Sequence, residues 1–277
     1  MIPRSWAEIV AGALALDVGR GDLTTDTLVE ESRQAQATLW ARQDLVCCGV
    51  PVMVAVFEQV DPAIRLEALH GEGERVEAGA AICRLEGPAR GILTGERVAL
   101  NFFQNLSAVA TVTRRYVEKV AGTGVRVVDT RKTTPGLGPM QKYAVRVGGG
   151  HNHRLGLDDG ILVKENHIAV SGGITAAVQR LRSHAGHLHR IEVECETLEQ
   201  VEESLAAGVE VLLLDNMTPD RLRQAVRLVA RRAMLEASGN VTLETIRAVA
   251  ETGVDLISVG ALTHSAGSVD VSLRITL

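Results

Sequence analysis

A set of cationic side chains clusters in the middle of the chain. Arg131 and Lys132 directly follow one apolar run, His153 and Arg154 follow the glycine triplet 148–150, and Lys164 sits on the next apolar run. Brought together without partners these groups would repel one another, so their natural occupant is an anion. Guanidinium offers a planar fork to carboxylate or phosphate, and ammonium a point charge. Two carboxylates, Glu194 and Asp215, end later apolar runs of the same kind. Such a pair suits a divalent cation or the hydroxyls of a sugar. Salt bridges around a rim would explain single members of the set, but the cations outnumber their local partners.

The elements that must position these residues alternate. The runs VRVVDT (125–130), ILVKEN (161–166), IEVECE (191–196), VEVLLLDN (209–216), MLEASG (234–239) and LISVGA (256–261) each read as a buried strand. Amphipathic segments separate the later ones. Thr197 with Gln200 fits a capping box, and Thr218 followed by Pro219 fits a cap with proline in the first turn. This alternation predicts a parallel sheet with right-handed crossovers. Asp129, Lys164, Glu194, Asp215 and Ser238 fall at or just before the C-terminal ends of their strands. In a β/α barrel those ends converge on one mouth, and too few strands for the full eight predict an incomplete barrel. Gly239 and Gly260 end strands where backbone N–H groups hold a phosphate, while the glycine triplet reads equally as a phosphate approach or a flexible turn. Neither a Walker motif nor a dinucleotide fingerprint is present. Phosphoribosyl pyrophosphate, a polyanion with a ribose and a bound magnesium, would satisfy both halves of such a mouth.

The first half reads differently. Residues 1–23 have helical spacing, and residues 34–91 read as short strands broken by glycine, with Ile82, Arg84 and Glu86 set against Cys83 and Leu85. Residues 94–120 have helical spacing without proline, as one long helix or two. The 277 residues are 46% hydrophobic and 23% charged, an ordinary globular balance, and aromatics at 3% leave the core to Val, Leu, Ile and Ala. A formal charge of −5 argues against nucleic acid as the main partner. Cys47, Cys48, Cys83 and Cys195 show no C-x-x-C spacing and read as buried free thiols in a reducing cytosol. Glu8 and Asp17 interrupt the apolar N-terminal stretch, which lacks a basic leader, and no run has membrane-spanning length, so a cytoplasmic protein without a membrane partner is expected. His151, His153 and His167 have no further ligand at a telling spacing for zinc, and His184, His187 and His189 read as solvated. A Schiff-base aldolase built on Lys164 is a rival enzyme reading, and a non-catalytic binding homologue a rival of another class.

The blocks DTRKTTPG (129–136), KYAVRVGGGHNHRLGL (142–157) and ILVKENHI (161–168) closely resemble quinolinate phosphoribosyltransferases. The resemblance extends through GDLTT (21–25), GERVALNFFQNLSAVAT (95–111), EVE (192–194), LLLDNM (212–217), LEASG (235–239) and VGALTHS (259–265), nearly the whole chain. A fold-sharing family linked to molybdenum transport lacks the NHR and VKENH pattern. The resemblance implies an α/β fold in which an N-terminal α/β sandwich, 1–115, is followed by an incomplete β/α barrel, 116–265, of the type II phosphoribosyltransferase kind, with residues 266–277 returning to the first domain. It implies a pentosyl transferase making nicotinate mononucleotide, with Mg2+ accompanying phosphoribosyl pyrophosphate and no organic cofactor. It also implies a homodimer in which Arg97 of one subunit completes the other's site. Carried over residue by residue, Arg131, His153, Arg154 and Lys164 surround the quinolinate carboxylates, with Thr130 and Lys132 nearby. Lys132, Glu194 and Asp215 are the implied catalytic residues, Glu194 and Asp215 facing ribose and magnesium. Ser238, Gly239, Asn240, Val259, Gly260 and Ala261 would hold the 5′-phosphate by backbone groups, with His264 at that edge. Two positions depart from the pattern: Gly138 stands where an arginine is usual, with Lys142 and Arg146 as candidates to replace the charge, and Asn240 stands where a second glycine is common.

Overall fold

The computed structural model of the chain describes residues 3–276; residues 1, 2 and 277 of the expected domain ranges lie outside the described residues. The N-terminal elements are α1 (Arg4–Val18), α2 (Leu23–Leu28), β1 (Gln34–Ala41), β2 (Leu45–Val46), α3 (Val50–Val60), β3 (Arg65–Ala68), β4 (Arg75–Val76), β5 (Ala81–Pro88) and α4 (Ala89–Lys119). There follow β6 (Arg126–Val128), α5 (Gly138–Val147), β7 (Ile161–Val163), α6 (Glu165–Ser171), α7 (Ile174–His184), β8 (Ile191–Cys195) and α8 (Leu198–Ala206). The chain continues through β9 (Val211–Asp215), α9 (Pro219–Val229), β10 (Met234–Ser238), α10 (Ile246–Ala250), β11 (Leu256–Ser258), α11 (Ala261–His264) and β12 (Val271–Thr276). Two compact units result: Met1–Arg114 with Thr133–Gly149 and Thr263–Leu277, and Arg115–Lys132 with Gly150–Leu262.

The first unit is an α/β sandwich on an antiparallel sheet in the order β12-β1-β5-β3. Alternation along β1 buries Ala35, Ala37, Leu39 and Ala41 on the face turned to the core. Ile82 is buried, although alternation set it on the side of Arg84 and Glu86. A register shift between Leu39 and Trp40 skips Ile82 in the pairing and turns it inward. Helical spacing over 94–120 becomes part of one unbroken helix, α4. The segment 133–149 lies within the range read from sequence as barrel, yet it belongs to this unit, and its side chains show why. Tyr143 donates its hydroxyl to Glu72 Oε2 at 2.9 Å and meets the Trp6 ring edge-on at 5.1 Å. Arg114 Nε donates to the Gly148 carbonyl at 2.9 Å. The Glu72 carboxylate also accepts from the N–H groups of Gly49 and Val50, capping α3 where no local capping residue exists.

The second unit carries six parallel strands in the order β6-β11-β10-β9-β8-β7. Each arises from one of the six apolar runs, and β6 and β7 do not pair with one another, so the barrel is incomplete. β6 and β7 end sooner than their runs. Asp129 lies just past β6, where His151 docks by a parallel bridge to Val128, and Lys164 is the N-cap of α6. The capping box of Thr197 and Gln200 starts α8, and Thr218 with Pro219 starts α9. The cysteines are buried and free, and burial pushes the Cys83 thiol up to about 12. Among the described residues no helix is long and apolar enough to cross a membrane.

Candidate active site

The C-terminal ends of the parallel strands surround a cavity of 460 Å³. Register determines what faces it. Glu194, Leu213 and Glu236 occupy one rung of β8, β9 and β10, and Asp215 and Ser238 the next. Residues two apart along a strand share a face, which adds Glu192 below Glu194 on β8. The loops contribute Thr130, Arg131 and Lys132 after β6, His153 and Arg154 before β7, and Gly239 and Asn240 after β10. Lys164, Glu194, Asp215 and Ser238 complete the gathering of residues singled out by sequence.

The electrostatics divide the cavity. Burial first, and then the Arg131 charge beside it, makes the Arg154 guanidinium easier to deprotonate than usual, so two arginines stand close enough to repel. Arg154 Nη1 donates to the Gly160 carbonyl at 2.9 Å, which orients the fork without neutralising it. Lys164 is not a free cation: its Nζ meets Glu194 Oε2 at 2.6 Å. Burial and the neighbouring Glu194 carboxylate raise the Asp215 carboxyl, against the opposing pull of Asn216, Lys164 and Lys132. One oxygen of each carboxylate is engaged, Glu194 Oε2 by Lys164 and Asp215 Oδ2 by Asn216. The remaining pair of hard oxygen donors, held among hydroxyl and amide groups, fits a magnesium ion that keeps much of its own water.

Beneath the cations lies a floor of which the sequence reading had assigned only His153 to the site. His153 Nε2 stands 3.1 Å from Glu192 Oε2 and 3.6 Å from Glu236 Oε1. These three side chains have the spacing of a metal site. His153 Nδ1, however, accepts the Arg154 N–H at 2.7 Å, so a neutral ring carries its proton on Nε2, the atom a metal would need bare. Of the three, Glu236 holds a proton more readily than an ordinary glutamate: burial, then the Glu192 charge, raise its carboxyl to about 7, against the opposing pull of His153. A signal for it was available, since a glutamate two residues before Ser238 inside an apolar strand must share the inward face. The raised value makes a stability prediction. Glu236 favours the fold most below the ordinary glutamate range, and that contribution is lost as pH rises through about 7. Glu236→Gln, which mimics the protonated acid, should therefore melt above wild type at pH 8, with the gap closing toward pH 5. Calorimetric melting across that range checks it; a gap independent of pH contradicts the raised Glu236 carboxyl.

Other singled-out residues lie off the cavity lining. Val259, Gly260 and Ala261 directly follow β11, whose last residue, Ser258, does line it. Arg97 is an exposed residue of α4 in the first unit, and His264 is exposed with Nδ1 2.6 Å from Ser265 Oγ. Gly138 begins α5 in the first unit, where Lys142 is buried. Besides Glu236, Asn216 was missed, although it directly follows Asp215.

An incomplete parallel barrel that sets paired arginines against paired carboxylates at its strand ends defines an enzyme class working on small, multiply charged substrates. The family model for the quinolinate phosphoribosyl transferase C-terminal domain matches residues 109–274, and that for the N-terminal domain matches 22–107. The chain belongs to the quinolinate phosphoribosyl transferase family. A relative from Synechocystis, named a probable nicotinate-nucleotide pyrophosphorylase (carboxylating), is 46% identical over 265 residues, 95% of this chain and 90% of the relative. A Bacillus subtilis relative of the same name is 43% identical, over 94% and 90% of the two chains. The crystal structure of NadC from Streptococcus pyogenes matches with a TM-score of 0.96 at 39% identity, covering 100% of this chain and 98% of that one.

Proposed function

We infer that this chain transfers the phosphoribosyl group of phosphoribosyl pyrophosphate to quinolinate with decarboxylation, giving nicotinate mononucleotide, pyrophosphate and CO2 for NAD biosynthesis. The observation that carries this reading is the division of one cavity between the repelling Arg131 and Arg154 and the repelling Glu194 and Asp215. A dicarboxylate relieves the first repulsion, and a ribose with its cation relieves the second. The pyridine nitrogen displaces pyrophosphate at the ribose carbon, and the carboxylate beside that nitrogen then leaves as CO2. The quaternised ring accepts the electron pair, and the ring carbon takes up a proton.

Orientation and electrostatics are the protein's share of the work. Arg131 and Arg154 hold carboxylates, with Thr130 and Lys132 beside them and the His153 ring lining the cavity. Lys132, placed near Asp215, faces the leaving pyrophosphate. Glu194 and Asp215 oppose the positive charge that grows on the ribose. Backbone groups of Ser238, Gly239 and Asn240, with those of Val259, Gly260 and Ala261, receive the 5′-phosphate. Magnesium, when bound, supplies counter-charge to the pyrophosphate and is held by Glu194 and Asp215.

The proposal extends to a cytoplasmic homodimer in which Arg97 reaches the partner's site. A partly apolar groove of the first unit supports the dimer: Leu16, 89% exposed, and Ala13 on α1 line it together with Val98 and Phe102 on α4, the helix that carries Arg97, beside the polar Asp17 and Asn101. The direct test is incubation with quinolinate, phosphoribosyl pyrophosphate and magnesium, followed for nicotinate mononucleotide. Nicotinate in place of quinolinate should turn over far more slowly, because one carboxylate leaves a guanidinium unpaired. Comparable turnover of the two acids contradicts the assignment.

A further inference from the structure

Two residues at the barrel mouth hold left-handed backbone without being glycine: Asn216, φ 54°, directly after β9, and Asn240, φ 51°, two residues past β10. This region disfavours side chains, asparagine less than most, and non-glycine residues kept there gather at functional sites. The two side chains are joined. Asn240 Nδ2 donates to Asn216 Oδ1 at 3.1 Å, and Asn216 Nδ2 donates to Asp215 Oδ2 at 2.6 Å. A primary amide has one accepting end and one donating end. With Oδ1 taken by Asn240, Asn216 can turn only its donor toward Asp215. The opposite flip would set the Asn216 oxygen against the Asp215 carboxylate, and it would break the Asn240 contact unless that amide turned as well. Gly239 closes the arrangement: at φ 96° it carries no Cβ, and one placed there would collide with the Asn216 side chain. The Asn216 N–H in turn donates to the Ser238 carbonyl at 2.9 Å, tying the strand ends together.

We propose that Asn240 is a positioning residue for the phosphoribosyl half of the site, its amide fixing the orientation of Asn216 and thereby aiming Asp215. This rests on the function inferred above. It also sets stability against activity at one position. Glycine at 240 would remove the donor while relaxing the left-handed backbone, so Asn240→Gly loses function without losing fold.

The test is a double-mutant cycle on Asn240→Gly and Asn216→Ala, read by calorimetric binding of magnesium phosphoribosyl pyrophosphate and by steady-state kinetics. Asn240→Gly should weaken phosphoribosyl pyrophosphate binding and kcat/KM about three- to tenfold, the size of one neutral hydrogen bond. The KM for quinolinate should hold, and the melting temperature should equal or exceed wild type. Asn216→Ala should lose at least as much, and the double variant no more than Asn216→Ala alone. Unchanged binding in Asn240→Gly, losses that multiply in the double variant, or a melting temperature that falls with activity would each overturn the proposal. Wild type that binds phosphoribosyl pyrophosphate yet makes no nicotinate mononucleotide from quinolinate refutes the inferred function and leaves the clamp standing. Wild type that does not bind it overturns both.

Discussion

Replacing Arg97 by Ala is expected to lower activity about 30- to 1,000-fold, the loss of one charge-assisted carboxylate contact of roughly 2–4 kcal/mol. In one chain Arg97 is an exposed residue of α4, within the sandwich and outside the cavity lining. Its proposed role therefore requires a second copy. Mixing inactive Arg97→Ala subunits with inactive Lys164→Ala subunits separates this role from a structural one. Each mixed dimer holds one site made of intact Arg97 from one chain and intact Lys164 from the other. With random exchange about half the dimers are mixed, each with one complete site, so activity returns to roughly a quarter of wild type. If subunits exchange and no activity returns, the shared site is wrong.

Glu194→Gln and Asp215→Asn should each lower kcat by about 100- to 1,000-fold, the usual effect of removing a group aimed at developing charge. Quinolinate binding should survive both changes, since these carboxylates face the ribose. The Glu194 substitution has an added consequence. Glu194 Oε2 meets Lys164 Nζ at 2.6 Å, so glutamine frees that ammonium group and quinolinate should bind equally or slightly more tightly. Asp215→Asn removes a carboxyl already raised by burial and by Glu194, which relieves repulsion within the pair. Calorimetry with quinolinate alone distinguishes the readings: an affinity loss as large as the loss of kcat would place the carboxylates on the acid and not on the sugar.

Arg97 was named by the family resemblance alone, whereas Lys164, Glu194 and Asp215 were legible from the residues themselves, and the reason is local. Each of the six parallel strands is an apolar run, and its polar last residue or successor marks the end that faces the mouth. Glu194 and Asp215 could be assigned to that mouth because strand periodicity and barrel topology act over a few residues at a time. The capping box at Thr197 and the Thr218–Pro219 start are local for the same reason. Where a pattern depends on a partner strand, local reading fails, as at Ile82, which a shift in pairing with β1 turns inward.

The sequence by itself determined the class of sheet, the order of its strands along the chain, the charged character of the mouth and, through its long motifs, the family. Tertiary structure alone decided which charges pair and which stay exposed to a ligand. Lys164 is neutralised by a glutamate 30 residues away, whereas Arg131 and Arg154 are left to repel one another. The Glu236 carboxyl is raised because burial and Glu192 surround it, and Asn216 is oriented by a residue 24 positions later. The segment 133–149 joins the sandwich through Tyr143 and Glu72, which are 71 residues apart. Coulomb interactions, desolvation and hydrogen bonds depend on distance through space, and the fold sets that distance between residues far apart in the chain.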